Sequence, residues 1–226
     1  MMVTTDVVKE IIGLNNEIAR IRLIKFEGQK DVRRDMSDVW TPDDECVYEQ
    51  ALKLRKEYNV PFWHGVMIGC MDNPQWSEHC LTASLAHNAI HYVADVAVDD
   101  VDCIVALSAS EERIALNSEV VLVKGGVRHI PMLDFHIPCR QANTDVVREV
   151  CGLLGKPGYI LSSGQSYHFI GKYLFSYVDM IDFMARALLF APITDGIWIA
   201  HQLQYKSCSL RIGRKNGVYP ELICEV

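Results

Sequence analysis

Three short segments in the C-terminal half set polar groups inside apolar, strand-like sequence, and each has residues that could act on a phosphate. In HIPMLDFHIP a lone carboxylate, Asp134, stands in a stretch otherwise fit for burial, with His136 two positions on. A buried, unpaired carboxylate is costly, so Asp134 needs a cation, a metal or a hydrogen-bond network. Side chains alternate along a strand, so Asp134 and His136 point the same way. In LSSGQSYHFIG the apolar run breaks at Ser162 to Ser166 and resumes at His168. Small residues and Gly164 let backbone N–H groups turn toward an anion, and the hydroxyls of Ser162, Ser163 and Ser166 add donors. In LRIGRKNG, Arg211 lies within a strand and Arg214 and Lys215 just after it. A guanidinium pairs with phosphate through two parallel hydrogen bonds. Each segment also has an ordinary explanation: a strand-end Asp, a Ser/Gly turn, a salt-bridged arginine on an outer face.

In this order and spacing, LDFHI, SSGQSYHF and WIAHQLQYKSCSLRIGRKNG resemble the three motifs of the archaeo-eukaryotic primase superfamily, the primase-polymerase catalytic core, over residues from about 100 to 226. The resemblance implies a nucleotidyltransferase of DNA replication. Its partners would be a nucleoside triphosphate and a DNA or RNA end held through a local basic site. Carried over, it makes Asp134 the first acid and His168 the histidine on the incoming phosphates. Ser163 and Gly164 fall in the loop of His168, and Arg211 is the phosphate arginine. In that family two acids of the first motif and one of the third hold two divalent cations for an in-line displacement.

Two positions depart from the pattern. The second acid is replaced by His136, and the place of the third is nearest His201. Asp195, six residues earlier in the turn TDG, is a weaker substitute. A single carboxylate is a poor set for two Mg²⁺ ions. The expectation is therefore that Asp134, His136 and His201 converge on one divalent metal, with Mn²⁺ suited better than Mg²⁺, or that the site holds no metal and only binds. Asp134, His136 and His168 are the candidate catalytic residues. Two other readings stand beside this one: an inactive primase-like module whose N-terminal helices dock a protein partner, and a metal-dependent phosphoesterase using Asp134, His136 and His201.

The elements that must position these residues follow from patterning. With 226 residues, half of them hydrophobic, the chain can bury a sizeable core. The net charge of -7 excludes a general basic field for nucleic acid, and no apolar run approaches the roughly 20 residues of a membrane span. No secretion signal is expected, and the protein reads as cytoplasmic. Helices are expected over 6–26, 43–58, 81–96, 143–155 and 176–190. Strands are expected at FWHGVMIGC, CIVALS, 158–161, 198–203 and 209–212, with a hairpin turning at Gly125 and Gly126. Cys70, His79, Cys80, His87 and His91 have a weak resemblance to a zinc set, with a plain packed helix favoured. These patterns predict an α+β fold: mixed or antiparallel sheets flanked by helices, with an N-terminal helical extension over 1–60 and the core over 61–226.

Overall fold

The computed structural model describes residues 2–26, 45–60, 62–69, 90–110, 113–215 and 217–226. It is α+β, and its described strand pairs are antiparallel. The chain divides into two compact units, residues 1–25 with 91–226, and residues 26–90. The opening residues therefore belong to the core and are not part of a separate helical extension.

Residues 6–26 do not form one helix. Helix α1 (Thr4–Leu14) ends where the Asn15 side chain donates to the Ile11 carbonyl at 2.7 Å and to the Lys172 carbonyl at 2.8 Å. Strand β1 (Ile18–Phe26) follows, burying Ile18, Ile21, Leu23 and Ile24. Helical spacing in the first half of the segment masks the β-branched run in the second, where pairing with another strand decides the outcome. Residues 26–90 contain α2 (Glu45–Tyr58) and α3 (Phe62–Gly69). The FWHGVMIGC run is thus helical over its described part, not a strand. Gly65 lets α3 approach α2: a Cβ there would lie 2.7 Å from the Ala51 carbonyl oxygen. Cys70, His79, Cys80 and His87 lie outside the described residues, as does most of the expected helix 81–96. The end of that segment, including His91, is strand β2 (Ile90–Ala97).

The CIVALS segment is helical as well, within α4 (Val101–Ser110). The hairpin forms as expected: β3 (Ile114–Leu122) turns through Gly125 and Gly126, at φ of 82° and 91°, into β4 (Val127–His129). The second arm then changes sheets. Ile130 still donates to the Ser118 carbonyl beside β3, at 2.8 Å. The Pro131 carbonyl already accepts from Gly171, also at 2.8 Å, and β5 (Met132–Asp134) runs in a second sheet. Next come α5 (Gln141–Leu154), stopped by Gly155 in the left-handed conformation, then β6 (Gly158–Ser162) and β7 (Tyr167–Gly171). Helix α6 (Tyr177–Leu188), capped by Ser176, leads to α7 (Gly196–Tyr205), β8 (Ser209–Arg211) and β9 (Glu221–Glu225).

One sheet runs β2-β1-β3-β4, with β8 also paired to β3, and the other runs β5-β7-β6-β9. A continuous core, including Phe169, Phe175 and Phe183, fills the space under α5 and α6. Among the described residues no helix is long and apolar enough to cross a membrane.

Candidate functional site

Asp134 is the last residue of β5, and His168 is its direct cross-strand partner on β7. The imidazole Nε2 lies 3.7 Å from a carboxylate oxygen of Asp134, too far for a hydrogen bond. His168 is 6 % exposed, and its other ring nitrogen, Nδ1, is buried without a hydrogen-bond partner. Burial, helped by the charges of Arg211 and Lys215, pulls this histidine down to about 3, so its ring is neutral at pH 7. Asp134 moves the other way. Burial, then the neighbouring Asp195 carboxylate, pushes it up to about 8, against weaker pulls from the Phe135 N–H, His136 and Arg211. Its side chain remains 27 % exposed, so the carboxyl is poorly solvated yet open to a ligand.

Asp195 reaches this place because residues 193–195 run alongside the end of β5. The Asp195 N–H donates to the Asp134 carbonyl at 2.9 Å, Phe135 bridges Thr194, and the His136 N–H donates to the Ile193 carbonyl at 2.9 Å. One oxygen of Asp195 accepts from Ile197 and Trp198, capping α7, and the other lies 3.4 Å from Nδ1 of His136. Burial works to raise the Asp195 carboxyl, but the bond to His136 and these N–H groups together hold it below the usual carboxylate range. Asp195 therefore stands beside Asp134 as a second carboxylate. The spacing Ile-Thr-Asp-Gly-Ile-Trp carries the missed signal: a short extended stretch, an N-cap Asp and the first turn of a helix.

Residues 198–203, expected as a strand, lie in α7. His201 is buried on that helix. Asp134, His136 and His201 do not assemble as a ligand triad, and among the described residues no three His, Cys, Asp or Glu side chains form a group able to hold a metal by themselves.

The serine loop is a closed turn. Ser162 and Ser163 accept through their hydroxyls from the N–H groups of Gly164 and Ser166, and the Ser163 N–H donates to the Ser166 carbonyl. Ser166 donates to the carbonyls of Phe135 and Ile137, fastening the segment that carries His136. Arg211 donates to the carbonyls of Gly213 at 2.7 Å, Val218 at 3.2 Å and Ser163 at 2.6 Å. It thus ties the turn of one sheet to the loop after β8 in the other, while its charge still reaches Asp134 and His168.

A family model described as AEP-like, archaeo-eukaryotic primase 1D-like, matches residues 99–223, a span containing all of these residues. The chain belongs to this family. No curated protein and no solved structure matches the chain.

Proposed function

We propose that the cleft binds the triphosphate of a nucleotide with one divalent cation and serves nucleotidyl transfer to a nucleic-acid hydroxyl. The observation that carries this reading is that acidic and basic groups act on one strand pair: Asp195 raises the Asp134 carboxyl, and Arg211 and Lys215 lower the His168 ring across from it, whose Nδ1 is buried without a partner. A cation bound to Asp134 would displace its proton, and the polyphosphate carried with that cation would meet Arg211 and Lys215. The donor set fits such a cation: Mg²⁺ and Mn²⁺ are commonly held by one or two carboxylates together with substrate phosphates, without an all-protein cage. Asp134 and Asp195 would hold it, with His136 alongside favouring Mn²⁺. When bound, the cation supplies neutralisation of charge on the transferred phosphoryl group.

The chain's own groups do the rest. His168, neutral and desolvated, offers a directed hydrogen bond to a phosphate oxygen, and the fixed charges of Arg211 and Lys215 orient the triphosphate. Asp195, pinned as the cap of α7, holds His136 in position beside Asp134. Calorimetry with a non-hydrolysable nucleoside triphosphate and Mn²⁺ tests the reading. Binding is expected, with His168→Ala weakening it by about 1–3 kcal/mol. A wild-type chain without affinity for the triphosphate overturns it. The closed serine turn favours a second reading, a primase-like module that binds without transferring. Absence of primer extension alongside tight nucleotide binding would select that reading.

A further inference from the structure

Helix α6 packs one face on the core and leaves an apolar one outside. Met180, Phe183, Met184 and Ala187 are buried, with Phe183 against Phe169 and Phe175. At 3.6 residues per turn the opposite side is formed by Val178, Asp182, Ala185 and Leu189. A surface helix ordinarily carries polar residues there. In α6, Val178 is 74 % exposed and Leu189 83 %, with exposed Ala185 between them and exposed Leu188 and half-buried Ile181 along one flank. Leu189 continues the helical path: its φ is -65° and ψ -17°, and its N–H donates to the Arg186 carbonyl at 3.1 Å. The turn beyond is fastened where the Thr194 hydroxyl donates to the Ala187 carbonyl at 2.7 Å. The apolar stripe is therefore about 17 Å long, from twelve residues at about 1.5 Å each. Asp182 and Arg186 stand on its other flank, both exposed, with a carboxylate oxygen 3.0 Å from Nε.

We propose that this face of α6 docks on the same face of a second copy of the chain, the two helices running antiparallel. The order of charges selects a second copy. Asp182 and Arg186 are equally far from Met184, so an antiparallel pair centred there sets Asp182 of each copy opposite Arg186 of the other, twice over. The same register brings Val178 of each copy near Leu189 of the other, and Ala185, close to the centre, is small enough for the backbones to approach. A parallel pair would set Asp182 against Asp182 and Arg186 against Arg186, and would align the helix dipoles unfavourably. Asp179 is engaged elsewhere, accepting from Ser176 in the capping box. The Arg186 fork has donors for two carboxylates, its own Asp182 and that of the second copy. Exposed ion pairs contribute little affinity, so their work here is to fix register, and the apolar stripe supplies the attraction. One helix face is smaller than a standard interface of about 1,600 Å², so the dimer is a weak one, with a dissociation constant on the order of 100 µM. None of this depends on what the Asp134 cleft binds.

The test is sedimentation equilibrium of the full chain from about 5 to about 500 µM, a range that brackets the expected dissociation constant. For the wild type the average mass is expected to climb from 25.6 kDa toward twice that. Val178→Ser with Leu189→Ser is expected to weaken association at least tenfold, because two-fold symmetry makes each substitution act twice. Both side chains are exposed, so the urea midpoint of this variant should stay at the wild-type value. Asp182→Arg alone and Arg186→Asp alone should each weaken self-association. An equimolar mixture of those two single variants should associate about as tightly as the wild type, since each mixed pair restores both cross-helix contacts. Neither single variant regains its own Asp182–Arg186 pair on mixing, so a role confined to helix stability would give no recovery. A wild type that stays monomeric through the whole range overturns the proposal and leaves the stripe to a different protein. A dimer equally tight in the Val178→Ser, Leu189→Ser chain overturns it by placing the contact elsewhere. Single reversals that fail to rescue one another overturn the antiparallel register on which the choice of a second copy stands.

Discussion

Asp134 and His168 face each other across two strands and respond to pH in opposite senses. Between about pH 4 and about 8 the folded chain keeps a proton on Asp134 that the unfolded chain has released, so this group makes folding less favourable as pH rises through that window. His168 binds no proton in the fold until about pH 3, whereas the unfolded chain takes one near 6.5, so its contribution is lost as pH falls from about 6.5 toward about 3. Asp134→Asn is therefore expected to raise Tm at pH 8 in the presence of chelator, and Mn²⁺ to raise Tm of the wild type but not of the variant. A variant melting below the wild type at pH 8 contradicts the burial argument. Ser166 separates two roles at the same scale. Its hydroxyl holds the carbonyls of Phe135 and Ile137, so Ser166→Ala is expected to cost about 1–3 kcal/mol in urea unfolding and to disturb the His136 segment. A hydroxyl that served only a phosphate would leave stability unchanged.

At the scale of elements, β6 and β7 are held so closely that side-chain size at one position controls the sheet. A Cβ on Gly158 would lie 2.3 Å from the Phe169 ring and 2.7 Å from the Ile170 carbonyl oxygen. Gly158→Ala is expected to destabilise by about 1–3 kcal/mol or more, read from the urea midpoint, because Phe169 is fully packed and cannot move aside. The elements readable from sequence are those with local punctuation. Gly125 and Gly126 mark the hairpin, Gly155 stops α5, and Ser176 starts α6 with Asp179 reciprocating as a capping box. Short apolar runs such as CIVALS carry no period that separates strand from helix, and it is there that the structure departs from the expected strands. The site follows the same division. Asp134, His168 and Arg211 sit in recognisable strand motifs, whereas Asp195 owes its position to a bridge between Phe135 and Thr194, 59 residues apart (194 - 135). Nothing local in the sequence encodes that pairing, so TDG reads as a turn.

For the molecule as a whole, the Arg211 side chain joins the two sheets of the core at the cleft. Arg211 starts in β8, beside β3, and reaches the Ser163 carbonyl in the turn between β6 and β7. Lysine cannot reproduce this fork of donors, so Arg211→Lys is expected to lose about 1–3 kcal/mol and to speed amide exchange in the Ser162–Ser166 turn. Unchanged exchange there would show that the sheets hold their spacing without it. The same cleft gathers local positive charge in an acidic chain, so association with polyanions should be steered to this face and weaken with salt.

The start of the chain lies against its last strand: Val3 bridges Glu221, the Leu222 N–H donates to the Met2 carbonyl at 2.9 Å, and Thr4 donates to Pro220. On a ribosome adding about 5–20 residues per second, α1 therefore emerges roughly 10–40 seconds before the strand it leans on. From the completion of β6 to the start of β9, 59 residues (221 - 162) and so roughly 3–12 seconds at that rate, the outer edge of β6 has no partner, and a nascent chain in this state is open to pairing with its neighbours on the same message.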